Sequence, residues 1–325
     1  MIRLVPLSFA ALTLSTACGD NAVVRPDAPP PLDGAPDSPL PDGGPDAESS
    51  PGIGLAVVNS DYASTAITLL DRTGQVTHAD CINSGTRPPG NTLALSGDVV
   101  LPSQAQPDHL LVTIDRTNAA LTWIDPSNCA PLRQLDVSTG FFANPHDVVG
   151  ISPTKAYVTR YERNANPTPD PADRDDGDDL LIIDPSVPAI TGRIDLGRYA
   201  TTVTGASIQA RPDRARLANG KLFVVLNNIS DDFGTIGAGR VVVVDPATDQ
   251  VTGTLDLPAG LQNCGGLSYV EATKTLVVAC GGNYSQPSQV ASSGLAFVDV
   301  AVSPPVVTRQ LPATAFGGRP VAGFS

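Results

Sequence analysis

Gly239-Arg240-Val241-Val242-Val243-Val244-Asp245-Pro246-Ala247-Thr248-Asp249-Gln250-Val251-Thr252-Gly253-Thr254-Leu255-Asp256-Leu257 decides the fold. Valine's two Cβ branches stiffen χ1 and suit a pleated strand better than a helix. Pro246 presets φ for the first central position of a type I turn, and the Asp245 side chain can cap that turn. Beyond it, Val251, Gly253, Leu255 and Leu257 alternate with polar residues, the period-two pattern of a half-buried strand. The stretch therefore reads as strand, turn, strand.

The same phrase occurs five times. It recurs as Thr68-Leu69-Leu70-Asp71, Trp123-Ile124-Asp125-Pro126, Ile182-Ile183-Asp184-Pro185 and Phe297-Val298-Asp299. The five Asp positions are 54, 59, 61 and 54 residues apart, and self-similarity at such a period marks a repeat architecture. A second hairpin precedes most copies, as in Val148–Ile151 with Ala156–Thr159, or Leu267–Val270 with Thr275–Ala279. Two hairpins per repeat give four antiparallel strands, named A to D outward from an axis, which is one propeller blade. The fold class is all-β: a β-propeller of four-stranded antiparallel blades with five repeats. A β-sandwich has no reason to repeat a phrase at this period.

Val243-Val244-Asp245-Pro246-Ala247-Thr248-Asp249-Gln250-Val251 resembles the repeat of surface-layer-type (YVTN) propellers, over about residues 53–325. Pro145-His146-Asp147-Val148 and Lys221-Leu222-Phe223-Val224-Val225 resemble its openings and second strands. The resemblance implies the fold and leaves activity open. Lactonase-type propellers share the architecture and supply an enzyme alternative by analogy. The first phrase has B, C and D candidates (Leu55–Val58, Ala66–Leu70, Gly74–Thr77) but no A strand before it. The tail Gly317–Ser325 reads as an unattached A strand. Either it completes the first blade and closes a five-bladed ring, or the chain lacks one or two blades.

Met1-Ile2-Arg3 is a short basic start, and Leu4–Ala17 is an apolar or small-residue stretch. That length suits a signal-peptide core and is too short for a membrane span. Residues 1–17 are read as a signal peptide. Leu14-Ser15-Thr16-Ala17-Cys18-Gly19-Asp20 resembles the bacterial lipobox, with Ser15 where the usual Leu stands. The resemblance implies lipidation of Cys18, and Gly19 implies outer-membrane sorting, with the protein facing the periplasm or the cell surface. Residues 18–52 form the lipidated Cys and a tether. Positions 19–52 hold nine Pro, seven acidic residues and one Arg, a composition that cannot bury apolar surface and stays disordered and extended. Residues 53–325 are the propeller domain.

The net charge of −13 argues against nucleic acid or an anionic membrane face as the main partner. Membrane contact is expected through the lipid alone, and the domain is expected to be monomeric. Apart from Cys18, four cysteines remain, and an even count in an exported chain suggests disulfides. Cys264 and Cys280 flank the hairpin that turns at Glu271–Lys274, so they fall nearly opposite each other. Cys81 and Cys129 follow by elimination and would tie the first two blades.

The repeats exceed the roughly 40–45 residues of a compact blade. The surplus lies between strands B and C: Tyr161–Asp179, Asn227–Gly239 and Gly281–Gly294. In a propeller these loops share one face with the D–A connections, and loops on rigid scaffolds carry function. Arg160, Tyr161, Asn227, Asn228, Asn283 and Tyr284 are the expected binding-face residues. The acidic loop offers Asp173, Asp175, Asp176 and Asp178 as a weak Ca²⁺ candidate. Its spacing misses an EF-hand, since Ala172 and Arg174 would stand where acids are required. A solvated loop without metal is preferred, and no cofactor is expected.

Catalytic signals are few. The D–A connections Arg211-Pro212-Asp213 and Arg319-Pro320 parallel Asn144-Pro145-His146-Asp147, and an Arg-lined mouth could bind a carboxylate by bidentate bonds. An enzyme would use His146, Asp147, Arg211 and Arg319, although adjacent strand residues point to opposite sides, so His146-Asp147 is not by itself a dyad. The leading expectation is a lipid-anchored cell-envelope module that binds an envelope protein or glycan without catalysis. The alternatives are a lactonase- or lyase-like enzyme and a structural surface-layer component.

Overall fold

The computed structural model describes residues 54–89, 91–284 and 288–321. The leader, Cys18 and the tether therefore lie outside the described residues. Five antiparallel sheets follow one another along the chain. The first holds β1 (Leu55–Ser60), β2 (Thr65–Leu70) and β3 (Val76–Asn83). The second holds β4 (Val99–Val100), β5 (Leu111–Asp115), β6 (Ala120–Asp125) and β7 (Ala130–Asp136). The third holds β8 (Pro145–Ser152), β9 (Lys155–Arg163), β10 (Gly177–Asp184) and β11 (Ala189–Asp195). A short β12 (Ile208–Gln209) pairs with β15 (Ile229–Ser230) beside the fourth sheet, which is β13 (Pro212–Ala218), β14 (Lys221–Leu226), β16 (Arg240–Asp245) and β17 (Gln250–Asp256). The fifth holds β18 (Cys264–Val270), β19 (Thr275–Cys280), β20 (Gly294–Asp299) and β21 (Val306–Pro312).

The valine run of β16 shows why the sheets stack. Val242 and Val244 pack into the core between the third and fourth sheets, while Val241 and Val243 pack between the fourth and fifth. A strand buried on both faces has no polar side, so alternation disappears from its sequence and returns in the outer strand β17. In the third sheet Val148 and Val149 divide in the same way between its two neighbours. Ile67 and Leu69 meet Leu95 and Ile124 between the first two sheets.

The repeated Asp has one job in all five copies. Each carboxylate accepts the backbone N–H two residues on: Thr73 to Asp71 at 2.8 Å, Ser127 to Asp125 at 2.8 Å, Ser186 to Asp184 at 2.8 Å, Ala247 to Asp245 at 3.0 Å and Ala301 to Asp299 at 2.8 Å. The side chain thus closes the C–D turn that Pro only presets. A register shift just before the Asp recurs in all five sheets, as between Val243 and Val244.

Both expected disulfides are present. Cys264 and Cys280 are directly paired across β18 and β19, and Cys81 to Cys129 ties the first sheet to the second. Of the two readings of the tail, completion of the first blade is not seen in its described part. Residues 317–321 add no strand to the first sheet, which stays three-stranded among the described residues. The Val321 N–H donates instead to Ser293 Oγ at 2.7 Å, which holds this segment beside the fifth sheet. Residues 322–325, the rest of the expected strand, lie outside the described residues.

Candidate functional site at the channel mouth

Three consecutive sheets build the mouth with one backbone device. The residue before the A strand has positive φ: Asn144 at 47°, Arg211 at 48° and Asn263 at 51°. Its carbonyl accepts the N–H of a residue two before the end of the B strand, Tyr161 at 3.2 Å, or just past it, Asn227 at 3.1 Å and Gly281 at 2.8 Å, respectively. The left-handed residue swings the crossover inward, and Pro145 and Pro212 then stiffen it. Two residues after each hinge stand His146, Asp213 and Gly265, side by side around the axis.

These residues line a cavity of about 410 Å³ together with Tyr161, Asn227, Asn263 and Tyr284. Arg116 and Arg214 also line it. Such a volume falls within the range of small-molecule sites, roughly 300–1,000 Å³. His146 Nδ1 lies 2.9 Å from Asp213 Oδ1, and its ring stacks on Tyr161 with centroids 4.1 Å apart. Asn227 Nδ2 donates to Asp213 Oδ2 at 3.1 Å and to the Tyr161 hydroxyl at 3.2 Å. Burial alone would raise the Asp213 carboxyl, but His146, Arg214 and Asn227 outweigh it and hold the group below the usual carboxylate range. Burial pushes the Tyr161 phenol up, and Asp213 adds to the shift. A Cβ on Gly265 would collide with Asp213 Oδ2, so only glycine leaves the carboxylate in place.

The cations at the mouth are already engaged. Arg214 donates to the His146 carbonyl at 2.8 Å, and Arg116 Nε donates to Asp98 at 2.9 Å. Two buried atoms of residues that line this cavity have no hydrogen-bond partner among the described residues, His146 Nε2 and Asn227 Oδ1.

Of the expected binding-face residues, Tyr161, Asn227 and Tyr284 line the cavity. Asn283 sits beside it, its N–H donating to Ser292 Oγ at 2.8 Å. Arg160 does not belong to the face. It is fully buried, donating to both Asp179 oxygens at 2.8 and 2.7 Å, because a strand that turns Tyr161 to the mouth must turn Arg160 between the sheets. Asn228 is also buried; its Nδ2 donates to the Ala238 carbonyl at 2.8 Å and its Oδ1 accepts the Thr201 N–H at 3.1 Å.

The enzyme candidates separate similarly. His146 is at the mouth, while Asp147 faces away and receives the N–H groups of Ser103 at 2.8 Å and Ala215 at 3.0 Å. Its burial raises the carboxyl, opposed by Arg214. Arg211 lies behind Tyr161, 2.6 Å from Glu162 and against the rings of Tyr161 and Phe233, and Arg319 is exposed outside the cavity. The partner that orients His146 is Asp213, two residues past the hinge at Arg211. Aligning the openings Asn144-Pro145-His146 and Arg211-Pro212-Asp213 would have found it.

The acidic loop does not gather its carboxylates. Asp173 accepts from the Thr168 hydroxyl at 2.7 Å, Asp175 from the Thr168 N–H at 2.9 Å, and Asp176 pairs with Arg193 at 3.0 Å. Asp178 accepts the N–H groups of Ala210 at 2.8 Å and Arg211 at 2.5 Å. No cluster among the described residues could hold a metal ion.

No family model matches the chain, and no curated protein matches its sequence. Solved structures are similar in fold. A 6-phosphogluconolactonase-like protein of Bacteroides uniformis superposes with a TM-score of 0.51 at 13% identity, over 81% of this chain and 69% of that one. The β-propeller domain of Swd1 from Myceliophteria thermophila gives 0.50 at 11%, over 80% and 69%. A second 6-phosphogluconolactonase-like protein, from Bacteroides fragilis, gives 0.50 at 14%, over 81% and 69%. The chain has a β-propeller fold. At such low identity the likeness shows the fold alone and leaves the activity open.

Proposed function

We propose that this protein is a lipid-anchored cell-envelope propeller whose channel mouth binds a glycan. The observation that carries the reading is the composition of the mouth: two tyrosines, two asparagines and an oriented His–Asp pair around one cavity. The exposed Tyr284 offers an aromatic face to the apolar side of a sugar ring, and amides and carboxylates exchange hydrogen bonds with its hydroxyls. The arginines are paired at home, which favours a neutral ligand over an anion. The lipobox resemblance supports the anchor, and the Pro/Asp-rich tether supports reach from the membrane. Full-length protein should bind immobilised envelope glycans, and Asn227→Ala with Tyr284→Ala should abolish that binding. Equal binding by the double variant would sink the reading.

A second reading has its own support. His146 is held by Asp213 and carries a second nitrogen without a partner among the described residues, the arrangement of a general base. In a lactonase- or lyase-like enzyme it would take the proton from an attacking water or a substrate carbon. Turnover of lactones that vanishes in His146→Ala would favour this reading over plain binding.

A further inference from the structure

The second sheet joins its first two strands differently from the sheets that follow. In the third, fourth and fifth sheets the A and B strands are linked by Pro153-Thr154, Asn219-Gly220 and Glu271–Lys274. Between β4 and β5 the chain spends residues 101–110. That loop does not stay with its own sheet. The Ser103 N–H and hydroxyl donate to Asp147 of β8 at 2.8 and 2.5 Å, and the Ser103 carbonyl accepts from Arg216 of β13 at 3.1 Å. Gln106 Nε2 donates to the Val148 carbonyl at 3.2 Å, and the Leu101 carbonyl accepts from Arg214 at 3.4 Å. Further along, Pro107 lies against Gly150, where a Cβ would meet its Cδ at 2.5 Å. β8 and β13 are the A strands, the innermost of the third and fourth sheets. A loop of the second sheet reaches β13 by passing inside β8, across the axis.

Asp147 is the centre of this crossing. It is fully buried and takes the N–H groups of Ser103 and Ala215, so one carboxylate joins three sheets. The cavities are divided at the same place. Val100 lines the mouth, while Leu101, Pro102 and Gln104 line a separate apolar pocket of about 270 Å³ beside the first sheet, and the two cavities share no residue. From this we infer that residues 101–106 close the axis beneath the mouth, which therefore receives the end of a glycan chain and not its middle. The inference rests on the glycan reading and narrows it to terminal units. A chain threaded along the axis needs one way in and another out. With the axis closed, entry and exit share the mouth, and the unit that reaches the floor is the last one. Arg214 stands on that floor, held by the His146 and Leu101 carbonyls.

The test competes immobilised envelope glycan against size-fractionated linear fragments of the same glycan, with the full-length protein as the binder. Fragments about 4 and about 20 units long should inhibit at the same molar concentration within about 2-fold, since each carries one such end. A molar potency that climbs about 5-fold with length would overturn end-on binding, because internal units multiply with length and ends do not. No binding by glycan or fragments would overturn the glycan reading, and end-on binding with it. The floor has its own measurement, which needs no ligand. In native-state hydrogen exchange the Ser103 amide should fall in the slow class of the Ala215 amide, although it stands in a loop, because both end on Asp147. A Ser103 amide that exchanges as fast as exposed loop amides would overturn the closed axis, whatever the glycan result.

Discussion

Two buried polar clusters are built on consecutive residues of β9, and they differ in how completely they are satisfied. Around Arg160, the guanidinium reaches both Asp179 oxygens and the Val137 and Arg174 carbonyls, and Arg193 caps the same carboxylate. It is sealed. Beside Tyr161, the Asp213 carboxylate is equally engaged, yet His146 Nε2 and Asn227 Oδ1 are buried with no partner among the described residues. A closed network holds sheets together; one with unpartnered buried atoms beside a cavity carries a cost that a closed network avoids. Sequence alone presents Arg160 and Tyr161 as equal neighbours, and only the turn of one residue along β9 assigns them to different tasks.

The largest test of the comparison is Arg160→Ala. It strands Asp179 in a dry interior with Arg193 as its remaining cation, and removing one partner of a buried pair costs about 3–5 kcal/mol. Chemical denaturation should show that loss at constant m-value. An effect under about 1 kcal/mol would mean that the cluster is wetter than its burial indicates.

A somewhat smaller effect is expected at Asp178, where the third loop meets the crossover to the fourth sheet. Burial lifts its carboxyl to about 6, despite the two N–H groups it accepts. The folded state therefore binds this proton more tightly than the unfolded chain does. Stability from this group is fully present below about pH 4 and is lost as pH rises through 6. A rise of that size corresponds to roughly 2–3 kcal/mol. Relative to Asp178→Asn, the wild-type protein should lose about that much between pH 4 and pH 7. A pH-independent difference between the two would refute the assignment.

The fold is legible in the sequence because its signals are local. Asp245-Pro246 and its four relatives announce a turn by the chemistry of two residues, and the Val241–Val244 run announces a strand buried on both faces. The Cys264–Cys280 pairing follows from the hairpin between them. The site is legible only in part, since Asn227 and Tyr284 sit on long loops that the period exposes, and Tyr161 stands in β9 just before a third. Asp213 is hidden by its distance of 67 residues from His146 and by the more conspicuous Arg211 beside it. Arg211 and Arg160 show the same difficulty from the other side. A lone Arg near a loop reads as a ligand group until burial places it against Glu162 or Asp179.

Gly265→Ala separates the two clusters with the smallest perturbation. The added methyl would meet Asp213 Oδ2, the oxygen that receives Asn227, and it approaches Asn227 Oδ1 to 3.5 Å. The obstacle is the end of a side chain, so the carboxylate can rotate away, and β18 need not move. The stability cost should stay near about 1 kcal/mol, the usual size for one displaced hydrogen bond. The mouth, however, loses the geometry that fixes the His146 tautomer. Nitrogen-15 spectra of the imidazole should show the hydrogen divided between Nδ1 and Nε2, where the parent protein holds it on Nδ1. If the tautomer stays fixed while stability falls by several kcal/mol, then Gly265 serves the sheet and not the site. In that case the open cluster is a structural network like the one around Arg160, and the contrast between them fails.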